Sequence, residues 1–349
     1  DELWRTDGTT AGTVLVKEIK PGLAGSVISN LTNLNSVLIF AADNGTDGVE
    51  LWKSDGTSSG TVMVKDIQLG GTGSNPDYLI AMGAYVYFNA NDGTSGGELW
   101  RSDGTSTGTI LVKDIYAGSG ASDPRYFAIM GSNLYFSAAS ATEGIELWKS
   151  DGTSGGTQLV KDINPTNNSF VKYIINAAGK LFFTAEGSTT QGMELWTSNG
   201  TSGGTFLVKD INPGAADAWI VMMTESGGKA FFSARTTTSG QEMWVSDGTP
   251  SGTFMLADAI TGTGFGNPQF PVDVNGTIMY RCSSDVAGAE LWKSNGTVSG
   301  TQIVKDIFPG LSSSAPGSLS EVGSLLYFSA NNGSNGSELW RSDGTAGGT

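Results

Sequence analysis

A tripeptide, Glu-Leu-Trp or its variant Glu-Met-Trp, recurs along the chain at a constant interval of 48 residues. Its glutamates are Glu2, Glu50, Glu98, Glu146, Glu194, Glu242, Glu290 and Glu338. A fixed period of this length is typical of repeat architectures, in which each repeat is one supersecondary unit that buries its apolar faces only against its neighbours. The interval therefore constrains the fold more strongly than any local pattern.

Each repeat contains four short runs that are rich in aromatic and β-branched residues. In one repeat these runs cover residues 78–82, 85–90, 98–102 and 110–115, and clusters of Gly, Asn, Asp or Ser separate them. This is the pattern of β-strands joined by turns, and no stretch shows helical periodicity of useful length. The sequence predicts an all-β fold, a β-propeller of four-stranded antiparallel blades.

The number of strands predicts how such a propeller closes. Two strands precede six complete sets of four, and three strands follow, which gives seven blades and one spare strand. We expect residues 1–349 to form a single domain, in which the N-terminal pair completes the blade begun at 319–330 and the extra motif 338–349 competes for the same place. This duplication suggests a segment of a longer tandem array with neighbouring repeats. An open superhelical stack of the same repeats is the alternative.

Composition excludes several classes of function. The chain has 19 Lys and Arg against 34 Asp and Glu, a net charge of −15, which disfavours a nucleic-acid partner because phosphate binding relies on basic side chains. No apolar run approaches the roughly 18 residues of a membrane span. Histidine is absent and Cys282 is the sole cysteine, so neither a histidine-based nucleophile nor a thiolate zinc site can form.

The repeat motif resembles that of a known family. Glu98-Leu99-Trp100-Arg101-Ser102-Asp103-Gly104-Thr105, followed by Gly108-Thr109 and Leu111-Val112-Lys113-Asp114-Ile115, is similar to the bacterial ELWxxDGT repeat, and the similarity extends over essentially the whole chain. The resemblance implies a secreted or cell-surface bacterial protein and no particular reaction. The repeat with Met243 for Leu and Ala257 for Lys is the least regular.

Three recurring polar features are interpreted as structural. Asp-Gly-Thr has Asn in place of Asp at Asn199 and Asn295, which favours a turn over a ligand site because both residues stabilise the same turn. Glutamates of the third strand and lysines of the fourth, such as Glu50 and Lys65, are predicted to form cross-strand ion pairs. Loops 43–48 and 91–93 contain side-chain oxygens of the kind that bind calcium, but these do not have the spacing of a calcium loop. No cofactor is therefore expected, and calcium binding stays an open alternative.

The connections that differ between repeats are expected to lie on one face of the propeller and to carry function. Four polar residues occupy equivalent positions just before the first strand, and each precedes an aromatic residue. The predicted ligand-binding residues are Asp77, Tyr78, Arg125, Tyr126, Lys172, Tyr173, Gln269 and Phe270. An aromatic floor with a polar rim suits a glycan or a surface protein as partner, and core filling is the structural alternative.

The sequence favours a non-catalytic extracellular or cell-surface scaffold for binding or adhesion. A carbohydrate-active enzyme that uses two carboxylates is one alternative, with Asp77, Asp123 and Asp217 as candidate acids. A purely structural repeat of a surface array is the other.

Overall fold

The computed structural model describes all 349 residues and contains only β-strands, turns and loops. The strands form eight antiparallel sheets, numbered 1 to 8 along the chain, of which six have four strands. No α-helix of the length and apolarity needed to cross a bilayer is present. The chain divides into two compact units, Asp1–Asn168 (unit 1) and Ser169–Thr349 (unit 2).

Unit 1 contains sheets 1 to 4, and each four-stranded sheet follows the order of the chain. The strands of sheets 1 and 2 are β1 (Leu3–Arg5), β2 (Val14–Lys17), β3 (Ser29–Leu34), β4 (Val37–Asp43), β5 (Val49–Ser54) and β6 (Val62–Lys65). Those of sheets 3 and 4 are β7 (Asp77–Met82), β8 (Tyr85–Asn91), β9 (Gly97–Ser102), β10 (Ile110–Lys113), β11 (Arg125–Met130), β12 (Asn133–Ser140), β13 (Gly144–Ser150) and β14 (Gln158–Lys161).

Unit 2 contains sheets 5 to 8. The strands of sheets 5 and 6 are β15 (Lys172–Ala177), β16 (Lys180–Glu186), β17 (Met193–Ser198), β18 (Thr205–Lys209), β19 (Val221–Ser226), β20 (Lys229–Thr236), β21 (Gly240–Ser246) and β22 (Phe254–Ala257). Those of sheets 7 and 8 are β23 (Gln269–Val274), β24 (Thr277–Ser284), β25 (Gly288–Ser294), β26 (Gln302–Lys305), β27 (Gly317–Val322), β28 (Leu325–Asn331) and β29 (Ser337–Ser342).

Within each unit the core lies between successive sheets, so both faces of the second and third strands of its interior sheets are buried. Between sheets 2 and 3, Ile39 and Leu51 pack with Phe88 and Trp100 in one cluster. Strands covered on both faces are apolar along their whole length and lose the alternation of a half-exposed strand. The predicted all-β fold of four-stranded antiparallel sheets is confirmed.

The Asp-Gly-Thr segment forms a turn, as predicted. Asp103 Oδ1 accepts hydrogen bonds from Thr105 N at 2.9 Å and Thr105 Oγ1 at 2.7 Å, and Gly104 has a φ of +83°. At the strand ends flanking the turn, the hydroxyls of Ser102 and Thr109 lie 2.7 Å apart. A positive φ is costly for residues with a side chain, which explains the glycine.

The repeated glutamate is a buried acceptor, so the predicted ion pair with lysine is wrong. Glu50 is fully buried and accepts hydrogen bonds from Ile67 N at 3.0 Å and from Ser74 N and Oγ at 2.7 and 2.6 Å. A register shift between Leu51 and Trp52 places Lys65 opposite Leu51, one residue away from the glutamate. Lys65 Nζ donates instead to a backbone carbonyl of sheet 3, Thr109 O, at 2.8 Å.

The predicted closure by the N-terminal pair and the count of seven blades are not confirmed. β29 occupies the third position of sheet 8 beside β28, which is the place that the prediction gave to the N-terminal pair. β1 and β2 form the two-stranded sheet 1. The repeat motif at 338–349 is thus an integral strand and turn of the last sheet.

Candidate functional site

The predicted ligand-binding residues all lie at the start of a first strand. The polar residues Asp77, Arg125, Lys172 and Gln269 are the first residues of β7, β11, β15 and β23. Tyr78, Tyr126, Tyr173 and Phe270 are the second residues of the same strands. Within each unit the first strands of neighbouring sheets contact one another, so these residues share one edge of the unit.

The second residue of each first strand has a left-handed backbone. Its φ is +56° at Tyr78, +58° at Tyr126, +56° at Tyr173 and +54° at Phe270, and each strand loses its regular register there. Non-glycine residues rarely adopt this conformation, and a β-bulge redirects the side chain that it carries. Tyr78, Tyr173 and Phe270 are exposed. We call Tyr78 with Tyr126, and Tyr173 with Phe270, the aromatic edges of units 1 and 2.

Charged groups on the aromatic edge of unit 1 contact groups from their own strand and the loop before it. The centroids of the Tyr78 and Tyr126 rings lie 6.2 Å apart, so the two rings form one surface. Arg125 Nη2 lies 3.5 Å from Asp123 Oδ2, and Arg125 Nε donates to Asp123 O at 3.2 Å. Asp77 Oδ1 accepts a hydrogen bond from Tyr78 N at 2.8 Å.

A polar pocket of about 250 Å³ lies near this edge in unit 1. Asn75, Asn89 and Asp123 are among its lining residues. The Oδ1 atom of Asn89 is buried and has no hydrogen-bond partner. Asn89 pairs with Asp77 across the sheet, which connects the pocket to the predicted site. A buried acceptor without a donor is costly, so a ligand that donates a hydrogen bond here gains affinity.

Unit 2 contains an exposed aromatic cluster that the sequence analysis missed. The guanidinium of Arg235 lies 5.9 Å from the ring centroids of both Trp219 and Phe265. Trp219 is 58% exposed and Phe265 is 51% exposed. Sequence alone offered one signal, because Trp219 is the one tryptophan of nine that lies outside the repeat motif. We call Trp219, Arg235 and Phe265 the Trp219 cluster.

The candidate acids are engaged in local hydrogen bonds. Asp123 pairs with Arg125, and Asp217 Oδ1 accepts from Met193 N at 2.8 Å. In the loops considered for calcium, Asn44 Oδ1 accepts from Thr46 N and Asp92 Oδ1 from Thr94 N, at 2.9 and 2.8 Å. No group of three His, Cys, Asp or Glu side chains is arranged to hold a metal ion. Calcium binding stays a prediction without structural support.

Comparisons with known proteins identify the fold. No protein-family model and no curated protein matches the chain. Among solved structures it is similar to one in a study of two prolyl endopeptidases, with a TM-score of 0.52 and 10% identity over 90% of this chain and 50% of that one. It is also similar to prolyl oligopeptidase B from Galerina marginata bound to a 35mer substrate, with a TM-score of 0.51 and 12% identity over 92% and 49%.

A third solved structure is the β-propeller domain of the trilobed protease from Pyrococcus furiosus, with a TM-score of 0.45 and 9% identity over 90% of this chain and 95% of that one. The succession of antiparallel sheets in this chain, six of them four-stranded, is the blade architecture of a β-propeller. It spans about half the length of the first two structures. Membership of the ELWxxDGT repeat family and an extracellular location remain predictions from the sequence.

The comparisons correct the functional prediction. The sequence favoured a non-catalytic adhesion scaffold for a glycan or surface protein. The two solved structures of similar fold with TM-scores above 0.5 are a prolyl endopeptidase and a prolyl oligopeptidase, and not adhesion proteins. The adhesion scaffold is therefore contradicted.

Proposed function

We propose that this chain is a peptidase-associated propeller that binds extended, proline-containing peptides and presents them to a separate catalytic domain or protein. The single observation that carries the proposal is the Trp219 cluster, an exposed arrangement of two aromatic rings and one cation in unit 2. The similarity in fold to prolyl endopeptidases supports the choice of peptide.

The chemistry of the Trp219 cluster suits an extended peptide. Exposed aromatic faces bind proline rings and extended backbones, as in the aromatic grooves that recognise polyproline II segments. Arg235 lies near both rings, so its stem and guanidinium are held in place by cation–π contacts and need little further ordering on binding. Tryptophan and arginine are also the residue types that dominate binding energy at interfaces.

The aromatic edge of unit 1 provides a second surface of similar character. Tyr78 and Tyr126 expose ring surface, and the neighbouring pocket contains the unsatisfied Asn89 Oδ1. A peptide N–H is a donor of the right strength for that acceptor, while the rings hold apolar side chains. Each unit thus offers an aromatic surface for a peptide.

We infer that the chain itself is not catalytic. A Ser-His-Asp triad cannot form from a sequence without histidine. The candidate acids Asp123 and Asp217 are held by local hydrogen bonds, which supports a structural role for them. In the proposed assembly the propeller binds substrate and another domain supplies the nucleophile and base.

Binding is tested by titrating fluorescein-labelled, proline-containing octapeptides and measuring fluorescence anisotropy. We expect Trp219→Ala to weaken binding about tenfold or more, because loss of a hot-spot tryptophan costs about 2 kcal/mol. The matched control is Trp4→Ala, since Trp4 is also 58% exposed and lies in unit 1. Equal affinities for the two variants, or no binding by the unmodified chain, would contradict the proposal.

The absence of catalysis is tested on the same peptides. Mass spectrometry after prolonged incubation is expected to show intact peptides. Cleavage that persists through repeated purification and is lost in Asp123→Asn or Asp217→Asn would show that the chain is itself an enzyme.

A further inference from the structure

The polar pocket of unit 1 and the Trp219 cluster of unit 2 occupy the same place in the repeat. Three periods of 48 residues separate each pocket residue from its counterpart in unit 2. The counterparts of Trp219, Arg235 and Phe265 are the pocket-lining residues Asn75, Asn91 and Ala121. Each of these has a smaller side chain than its counterpart, so the space that the cluster fills beside sheet 6 is open beside sheet 3.

Gly97 opens the polar pocket towards the strands of sheet 3. The residue before the buried glutamate is Val49 in sheet 2 and Gln241 in sheet 6, and glycine stands there in sheet 3 alone. A Cβ atom at residue 97 would lie 2.6 Å from Asp123 Oδ1 and 3.1 Å from Asn89 Oδ1. Both oxygens therefore border the space that a side chain at this position would fill.

Sheet 6 shows which chemical group suits this space. There the side-chain amide of Gln241 donates to Ser233 Oγ at 2.9 Å and to Trp219 O at 3.3 Å. Ser233 is the counterpart of Asn89, whose Oδ1 atom is buried without a hydrogen-bond partner. A nitrogen that donates hydrogen bonds therefore fits at this place in the repeat, and Gly97 supplies none in sheet 3.

The charge of this place differs between the two units. The counterpart of Arg235 is the neutral Asn91, and the counterpart of the neutral Asn267 is Asp123. Each exchange makes the place in unit 1 more negative by one charge. Asp123 Oδ2 lies 3.5 Å from Arg125 Nη2, whereas Oδ1 borders the pocket. A cation in the pocket can pair with Oδ1, and hydrogen bonds between charged groups are stronger than those between neutral ones.

We propose that the polar pocket, at Asn89, Gly97 and Asp123, binds a primary ammonium group. As a site for a lysine side chain or the N-terminal amine of a peptide, it rests on the proposed peptide-binding function. An ammonium group has several N–H bonds and can donate to Asp123 Oδ1 and Asn89 Oδ1 together, whereas a backbone N–H has one proton to donate. The pocket volume of about 250 Å³ exceeds the roughly 30 Å³ of one water molecule, which leaves room for the methylene groups next to the nitrogen.

Peptides that differ in a single amine test the proposal by fluorescence anisotropy. Three octapeptides carry fluorescein at the C terminus: one has a lysine and an acetylated N terminus, one has a free N terminus and no lysine, and one has acetyl-lysine and an acetylated N terminus. We expect the first or the second to bind about tenfold more tightly than the third, because only an ammonium group makes charge-assisted hydrogen bonds here. The comparison of the first two identifies the source of the amine.

Equal affinity of all three peptides would overturn the ammonium site. If Trp219→Ala weakened the binding of all three in that case, the peptide-binding function would stand without it.

Two substitutions copy residues that the chain already carries at the counterpart positions, so both are compatible with the repeat. Asp123→Asn reproduces Asn267, and Gly97→Gln reproduces Gln241, whose amide fills the equivalent space. Each should abolish the tenfold preference. Asp103→Asn, the same change of charge in the turn of sheet 3, should preserve it, and circular dichroism checks that all three variants are folded. A preference that survives both pocket substitutions overturns the proposal, because the net charge of −15 would then explain it.

Small molecules test the pocket without any peptide. Nitrogen-15-labelled protein is titrated separately with n-butylammonium, tetramethylammonium and n-butanol, and NMR follows the backbone amide signal of Gly97. We expect n-butylammonium alone to give a saturable shift, since tetramethylammonium has the charge without an N–H and butanol has no charge. No saturable shift, or an equal shift with tetramethylammonium, overturns the proposal. A saturable shift in a protein that binds none of the peptides would support the ammonium site and contradict the peptide-binding function.

Discussion

Sheets 3 and 5 contain the same buried glutamate in different surroundings. Glu98 accepts hydrogen bonds from Ile115 N and from Ser122 N and Oγ, the last at 2.6 Å. Glu194 keeps the bond from Ile211 N at 2.7 Å, but the position of the serine is taken by Ala218. Burial raises the pKa of both glutamates, and it raises the pKa of Glu194 to about 8. Ala218 offers no hydroxyl and its N–H donates to Met193 O, so fewer hydrogen bonds oppose the effect of burial on the pKa of Glu194.

Sheet 6, like sheet 5, lacks the serine that contacts the buried glutamate. Gly266 stands where the serine would be, and burial raises the pKa of Glu242 to about 7. Glu242 accepts hydrogen bonds from the backbone N–H groups of Ala259 and Gly266, at 3.1 and 2.9 Å. The comparison shows that backbone donors alone hold the buried glutamate in sheet 6, whereas a serine hydroxyl, where present, opposes the rise in the pKa of the glutamate.

The largest expected effect is a loss of stability as the pH rises. A buried acid with a raised pKa holds its proton in the folded state after the unfolded chain has released it. The contribution of Glu194 is complete below its ordinary pKa of 4.5 and is lost as pH rises towards about 8, and that of Glu242 is lost towards about 7. We expect the free energy of unfolding in urea to fall by about 2 kcal/mol or more between pH 5 and pH 8.

Glu194→Gln tests the origin of that slope, since it removes one titrating group and keeps a neutral side chain of similar shape. The variant should lose part of the dependence on pH. Glu225→Gln, a change on an exposed strand residue of the same unit, is the control and should keep the full slope. A slope that survives Glu194→Gln unchanged would mean that the charge state of this glutamate does not differ between folded and unfolded protein.

An intermediate effect is expected when the serine is exchanged between the two sheets. Ala218→Ser should lower the pKa of Glu194 and stabilise the protein at pH 8 by about 1.5 kcal/mol, the lower end of the range for a hydrogen bond to a charged group. The backbone at residue 218 already has the geometry seen at Ser122, because Ala218 N donates to Met193 O at 3.1 Å and Ser122 N donates to Gly97 O at 2.9 Å.

Ser122→Ala is the reciprocal change and should raise the pKa of Glu98 and destabilise by a similar amount. Carbon-detected NMR titration of the glutamate side chains follows both pKa values, and urea unfolding measures the energies. If both substitutions shifted stability in the same direction, the hydroxyl would not be the cause of the difference between the sheets.

Much of the fold followed from the sequence because every repeat carries the same signals. The strands predicted at 78–82, 85–90 and 98–102 are observed at Asp77–Met82, Tyr85–Asn91 and Gly97–Ser102. The predicted ion pair is wrong because a register shift beside the glutamate recurs in the seven sheets in which a third and a fourth strand pair, and a feature that does not vary between repeats leaves no signal in the sequence. A serine 24 residues after the glutamate, as in Ser74 and Ser122, is the sequence signal that indicates a buried acceptor.

The candidate site was less accessible to sequence reasoning. The equivalence of Asp77 and Arg125 followed from the repeat, and the structure places both at strand starts. The Trp219 cluster joins residues from two loops and one strand, separated by up to 46 positions from Trp219 to Phe265. Such a contact depends on how neighbouring sheets stack, and a periodic pattern carries no information on it.

The smallest expected effect concerns the turns, where the two kinds of repeat differ in charge and agree in geometry. Asp103 Oδ1 and Asn199 Oδ1 both accept from the threonine two residues on, with N···O distances of 2.9 and 3.0 Å and Oγ1···O distances of 2.7 Å. Since one oxygen makes both bonds, Asp103→Asn should change the free energy of unfolding at pH 7 by less than about 0.5 kcal/mol. Asp103→Ala removes the acceptor and should cost about 1 kcal/mol.

Aspartate and asparagine at position 103 are expected to differ in how the stability of the protein responds to acid. The hydrogen bonds from Thr105 lower the pKa of Asp103, so the contribution of its carboxylate is present above the ordinary pKa of 3.8 and is lost as pH falls through the lowered value. Asparagine does not titrate, and Asp103→Asn should therefore be slightly less sensitive to acid in parallel urea unfolding series at pH 7 and pH 3. If Asp103→Asn were as damaging as Asp103→Ala at pH 7, the charge itself would stabilise the turn, and Asn199 would then mark a weakened turn in sheet 5.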